Sequence, residues 1–158
     1  MDENNHLPVL GIGPYLIGLI VVITVLAFVL SVHNIIPVYK SNQFILLALG
    51  FVLIVTGTIF WLSANVSSSI DNHIKANQLV TTGVYSKVRH PIYAAFLYAI
   101  TGSILIFDNV FLLVLPVIYW YILTVVIKNT EEKWLIGLYG DYYILYSRKV
   151  NRFIPRVK

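Results

Sequence analysis

Four stretches of this 158-residue chain contain no charged side chain, and each is long enough to cross a bilayer. They run over residues 15–32, 44–64, 91–107 and 110–127. A helix rises about 1.5 Å per residue, so a hydrocarbon core of about 30 Å takes roughly 20 residues, and about 17 are still enough. All the charges lie outside these stretches. Charged residues make up 11% of the sequence and hydrophobic ones 58%, against about 25% charged in a soluble domain. The expected fold is therefore all-α: a polytopic membrane protein with four transmembrane helices, forming one membrane-embedded domain over 1–158.

The same pattern excludes several functions. An ion channel or proton pump needs ionisable groups at the bilayer midplane, and the four spans have none. The net charge of +4 follows from the distribution of basic residues around spans, so nucleic acid is not an expected partner. The chain has no Cys, which removes disulfides and thiolate metal sites. His6, His33, His73 and His90 lack metal-ligand spacing, so no metal is expected. Gly11-Ile12-Gly13 with Gly18 has the wrong spacing for a dinucleotide loop, and no strand precedes it. The first span lacks a basic leader and a small-residue cleavage site, and reads as a permanent span rather than a signal peptide.

Lys and Arg set membrane orientation. With four spans, the N-terminus, the 65–90 loop and the 128–158 tail share one side and carry all the basic residues except Lys40. Both termini are expected to be cytoplasmic. The polar segments 65–90 and 128–158 then meet at one membrane face.

Within the spans, Ala95, Ala99 and Ser103 share a helix face with Gly102 beside them, the small-residue spacing that lets helices approach closely in lipid. Pro116 is expected to kink the fourth span. Over 134–146, Trp134, Leu135, Leu138, Tyr142, Leu145 and Tyr146 form one helical stripe. That predicts an amphipathic helix lying in the membrane interface.

Two polar clusters carry the candidate chemistry. In the first, Arg89-His90-Pro91, proline takes the opening position of the third span, where its missing N–H costs nothing. His90 takes the cap. The free N–H groups of that turn, with Arg89 beside them, suit an anion; equally, Arg89 can reach lipid phosphate while His90 simply caps. The second cluster is Glu131-Glu132. Either Asn129 caps a new helix here and Glu132 closes a capping box, or a carboxylate binds a ligand's hydroxyls or positive charge.

Thr82-Gly83-Val84-Tyr85 followed by Arg89-His90-Pro91 and Tyr93 resembles the cofactor motif of the isoprenylcysteine carboxyl methyltransferase and phospholipid methyltransferase superfamily. The similarity continues through Glu131-Glu132, Leu135, Tyr139-Gly140-Asp141, Tyr143, Tyr146, Val150 and Arg152-Phe153-Ile154-Pro155, and covers about residues 77–156. The resemblance implies a helical membrane enzyme that uses S-adenosyl-L-methionine. It implies a cofactor pocket lined by Leu79, Val80, Tyr85, His90, Pro91 and Tyr93, with Glu131 on the cofactor's polar end and Glu132 beside it. Ala95 stands where the family often has glycine. Ile127-Lys128 stands where the branch that methylates prenylated proteins carries an arginine, so Lys128 becomes a candidate substrate-binding residue.

A carboxylate acceptor is already anionic and needs no general base, whereas an amine must lose a proton. No dedicated base is evident in either cluster. The expected reaction is therefore carboxyl O-methylation of a lipid-like or prenylated acceptor reaching the site from the bilayer. Arg89 would orient the carboxylate and His90 would complete the catalytic pair. Phospholipid amine N-methylation is the alternative. Sterol-type reductases share a similar Arg-His-Pro block but are much longer; a non-enzymatic membrane scaffold would have no use for either cluster.

Overall fold

Each uncharged stretch becomes a helix, and the connections between helices fix which ends lie together. The computed structural model describes residues 12–40, 43–66 and 79–156. His6, His73, Gly11 and most of the 65–90 loop's first half lie outside the described residues. Helix α1 covers Gly13–Val32 and α2 covers Gln43–Val66. A 3-10 turn, Gly83–Ser86, leads to α3, Pro91–Phe107. A second 3-10 turn, Val110–Leu113, runs into α4, Val114–Asn129. Two short helices follow, α5 over Glu131–Tyr139 and α6 over Asp141–Lys149. No strand occurs among the described residues.

Lipid-facing side chains are apolar: Phe44, Phe51 and Val52 of α2 and Val117 and Tyr121 of α4 are all exposed. Such surface is stable only in hydrocarbon. The protein is an integral membrane protein.

Helix α2 packs on α3 with almost no side chain between the two backbones. A Cβ added to Gly102 would stand 2.5 Å from the Gly50 carbonyl oxygen, and one added to Gly57 would stand 2.6 Å from that of Ala95. The expected small-residue face on α3 is thus matched by glycines on α2. Dispersion across a close helix contact is the main attraction available where lipid tails are as apolar as the side chains. Polar ties do the rest. Thr24 on α1 donates to its own Ile20 carbonyl and shares a 3.0 Å hydrogen bond with Tyr119 on α4.

The α3–α4 turn rests on the α1–α2 connection. Asp108 takes a left-handed conformation (φ 53°) that ends α3. Asn109 donates to Ser31 Oγ and to the Pro37 carbonyl, and accepts from the Phe111 N–H. Val110 N–H donates to the Tyr39 carbonyl at 3.1 Å. These connections therefore share one end of the helix bundle, and the segments around residues 89 and 132 share the other.

Two local expectations are corrected. Pro116 produces no mid-span kink: α4 begins at Val114, so the proline lies in its first turn, where no intrahelical N–H bond is required. The single interfacial helix over 134–146 is also two helices. Gly140 adopts φ 54°, ψ −132°, a region open essentially to glycine alone. Trp134, Tyr142 and Leu145 stay on the exposed side, while Tyr143, outside the expected stripe, is fully buried.

Candidate active site

The tail returns to the start of α3 through backbone pairing. Val88 and Asn151 form an isolated parallel bridge. Arg89 N–H donates to the Asn151 carbonyl at 2.8 Å, and His90 N–H to the Arg152 carbonyl at 3.1 Å. The second uses the N-cap amide of α3, which has no helical partner. The two bonds also set Arg89, His90 and Arg152 side by side.

Arg89 is buried and, Nε apart, bonded within the chain. Its Nη1 donates to the Ser147 carbonyl and, at 2.9 Å, to that of Val150; its Nη2 donates to Glu132 Oε1 at 2.7 Å. The two side chains of this ion pair are 6% and 7% exposed. Arg152 completes the arrangement from the other side, Nε to Oε1 at 2.9 Å and Nη2 to Oε2 at 2.7 Å. Glu132 thus lies between two guanidinium groups, one of them bidentate, the strongest geometry available to a carboxylate. The capping box is absent. Asn129 ends α4 and donates to the Val125 carbonyl, while Thr130 caps α5 without a side-chain bond and donates to Val126. Glu132 is committed to the arginines instead.

Glu131 faces the start of α3. The Tyr93 hydroxyl donates to Glu131 Oε1. His90 lies between the two carboxylates, Nδ1 at 3.7 Å from Glu131 Oε2 and Nε2 at 3.5 Å from Glu132 Oε1. Neither separation is a hydrogen bond of good geometry, and His90 Nε2 and Arg89 Nε are buried without a partner among the described residues. His90 caps α3 with its backbone only. Its ring is edge-on to Tyr93, centroids 5.9 Å apart.

Three tyrosines, Tyr85, Tyr143 and Tyr146, are packed into this assembly, and one phenol braces it. Tyr146 donates to the Tyr85 carbonyl at 2.5 Å. Burial raises the Tyr146 hydroxyl above its ordinary range and pushes that of Tyr85 up to about 12. Burial, and then the nearby Glu132 charge, raise Tyr143 as well. All three remain protonated at neutral pH, as the charged form is the one desolvation disfavours.

A cavity of about 500 Å³ opens beside the arginines, lined by Arg89, Glu132 and Arg152 and by Trp120, Thr124 and Phe153, among others. That volume is ordinary for a small-molecule site. His90, Tyr93 and Glu131 are not among its lining residues. The site therefore has two parts that meet at the Arg89–Glu132 pair: an anionic corner at Glu131 and a net-cationic cavity at Arg152.

The structure brings Arg89, His90, Pro91, Tyr93, Glu131 and Glu132 together. Tyr85 joins them through Tyr146. Leu79 and Val80 are half-buried ahead of the 3-10 turn, with no recorded contact to the carboxylates. Lys128 is exposed on the last turn of α4 and does not line the cavity. Arg152, Trp120 and Thr124 escaped the sequence reading as site residues. For Arg152 a signal existed: a carboxylate at the bilayer edge needs a cation, and Glu132 has two candidates.

A family model for phospholipid methyltransferases matches residues 44–142. The chain belongs to that family. The match includes α2, α3, α4 and the Glu131-Glu132 corner. Among individual proteins, the protein-S-isoprenylcysteine O-methyltransferase of Schizosaccharomyces pombe is 36% identical over 84 residues, 52% of this chain and 35% of that protein. The Xenopus laevis protein of the same name is 31% identical over 118 residues, 70% of this chain and 41% of its own. That of Saccharomyces cerevisiae is 38% identical over 78 residues, 49% of this chain and 32% of its own. The chain thus spans between about a third and two fifths of the relatives it matches.

Proposed function

We propose that the chain is an S-adenosyl-L-methionine-dependent methyltransferase that esterifies the carboxylate of a prenylated or otherwise lipid-like acceptor. One observation carries the reading: two motif blocks about 40 residues apart close into a single site, Arg89 on Glu132 and Tyr93 on Glu131, at one end of a membrane bundle. Names of the relatives in three eukaryotes support the acceptor class.

The residues present suit such a methyl donor. Glu131 offers a carboxylate whose orientation Tyr93 fixes, fit for an ammonium or ribose hydroxyls. The aromatic face of Tyr93 suits a sulfonium. His90 Nε2, 3.5 Å from Glu132 Oε1 and without a well-formed hydrogen bond, is a buried polar atom that a ligand can engage. When bound, the donor supplies a methyl group activated by positive sulfur. An acceptor carboxylate, already deprotonated, would take that methyl through one of its oxygens, so no residue of the chain would have to accept a proton. The chain's work is then alignment and exclusion of water. Glu132 holds both arginines in register, and Arg89 staples the tail to α3. Amine N-methylation is the second reading. It is favoured by the family's description and by His90, whose Nε2 can take the proton an amine must lose.

Methyl transfer in nanodiscs to carboxyl- and amine-headed acceptors tests both. Apolar transfer is worth about 0.8 kcal/mol per methylene, so a tail four carbons longer should improve apparent affinity by up to about 200-fold. Carboxyl heads should be methylated and amine heads of equal tail should not. The reverse preference would install the second reading, and equal rates for tailless acceptors would remove the lipid-like acceptor altogether.

We further propose that the site faces the cytoplasm, on the strength of the basic residues that share its side of the bundle. The chain has no native Cys. Val38→Cys and Lys87→Cys, exposed at opposite ends, should react in intact cells with an impermeant thiol reagent at Val38→Cys alone. Labelling at Lys87→Cys alone would invert the orientation.

A further inference from the structure

We infer that Arg152 is the residue that recognises the acceptor's anionic head, and that Trp120 and Thr124 line the start of its tail path. The inference rests on the carboxyl-methylation reading and adds the subsite to it. The residues assigned that task from the sequence are less open to it than Arg152. The Arg89 side chain is 6% exposed, with both terminal nitrogens bonded inside the chain and only Nε unpartnered, and Lys128 stands away from the cavity.

Arg152 differs in three respects. Its backbone is fixed by the His90 N–H. Its guanidinium plane is fixed by the bidentate contact with Glu132, which uses Nε and Nη2. A guanidinium has five N–H donors, and among the described residues Nη1 has no partner. The edge formed by Nη1 and the second hydrogen of Nη2 is therefore open, on a side chain 27% exposed and lining the cavity. That edge has the spacing to hold a carboxylate bidentately. Charge agrees: Arg89 and Arg152 bring two positive charges against one on Glu132, and the surplus favours an anion.

The cavity's depth identifies which anion. Trp120 lies nine residues before the end of α4, about 13 Å along the helix toward the bilayer interior. A polar cofactor gains nothing from a wall at that depth. An amphiphile does, with its head at Arg152 beyond the end of α4 and its first apolar carbons beside Trp120. The carboxylate of the methyl donor is the other source of the same chemistry, and the two separate in the test.

The test compares N-acetyl-S-farnesylcysteine with its carboxamide, as ligands of the purified full chain in nanodiscs. Wild type should prefer the carboxylate by about 10-fold to 150-fold, the range of a charge-assisted contact. Arg152→Gln should bring the two to within about threefold, while Arg152→Lys keeps part of the preference. A merely structural role would weaken both ligands alike and leave their ratio intact; an unchanged ratio overturns the inference. Because Arg152 also holds Glu132, binding of the demethylated donor product serves as the folding control and should change less than threefold. If that product instead weakens and its decarboxylated analogue does not, the anion is the donor's and the inference fails. Trp120→Ala leaves the ion network whole and should raise KM for long-tailed acceptors more than for short ones. Absence of methyl transfer by wild type to any acceptor would count against the proposed reaction, whereas the binding ratio reports on Arg152 alone.

Discussion

Glu132→Leu is expected to cost more stability than any other single substitution near the site. It leaves Arg89 buried and unpaired, and breaking a buried ion pair from one side costs about 3–5 kcal/mol. The loss is mostly the penalty of a stranded charge, not the worth of the pair. Arg89→Met added to Glu132→Leu should therefore recover a large part of it, although two more charged contacts vanish from the structure. Thermal unfolding in one detergent, read by near-UV circular dichroism, distinguishes the cases. A double variant less stable than Glu132→Leu would show that the pair itself, rather than the orphaned guanidinium, holds the tail on α3.

Glu131→Gln should behave in the opposite way, with binding lost and folding kept. The amide oxygen can still accept from Tyr93, so local packing survives. The negative charge does not. A charge-assisted hydrogen bond is worth roughly 1.5–3 kcal/mol, and affinity for the demethylated donor product should fall by about 10-fold to 150-fold. Calorimetric titration of wild type and variant measures this directly, with the melting temperature as companion. Equal affinities would leave Glu131 a structural partner of Tyr93 only, and the anionic corner would lose its assigned ligand.

The contrast between these neighbouring carboxylates marks where sequence reasoning runs out. The four spans were legible because a run without charge is a local property, and the α3 start was legible because Pro91 signals it within one residue. Glu131 and Glu132 are adjacent and chemically identical. Their different roles arise from partners 38 to 43 residues upstream and 20 downstream, and no spacing rule encodes contacts between separate elements. The capping box was a sound local expectation that long-range ion pairing overrode. The stripe of Trp134, Leu138, Tyr142 and Leu145 ran straight through Gly140; only the backbone conformation at the glycine separates the two helices. The cavity was invisible for a further reason. Trp120 and Thr124 look like ordinary span residues until the returning tail leaves a space beside them.

Helix α3, which carries His90, Pro91 and Tyr93, has 17 residues, a length of about 25 Å. A typical hydrocarbon core is about 30 Å thick. The near-contact of the α2 and α3 backbones at Gly50–Gly102 and Gly57–Ala95 leaves α3 little freedom to slide or tilt independently to make up the difference. The membrane must adapt instead, by thinning locally or letting the site sink toward the acyl-ester layer. Lipid chain length thus becomes a setting on the protein, fixing the height at which an amphiphile's head and the Arg152 cavity share one plane.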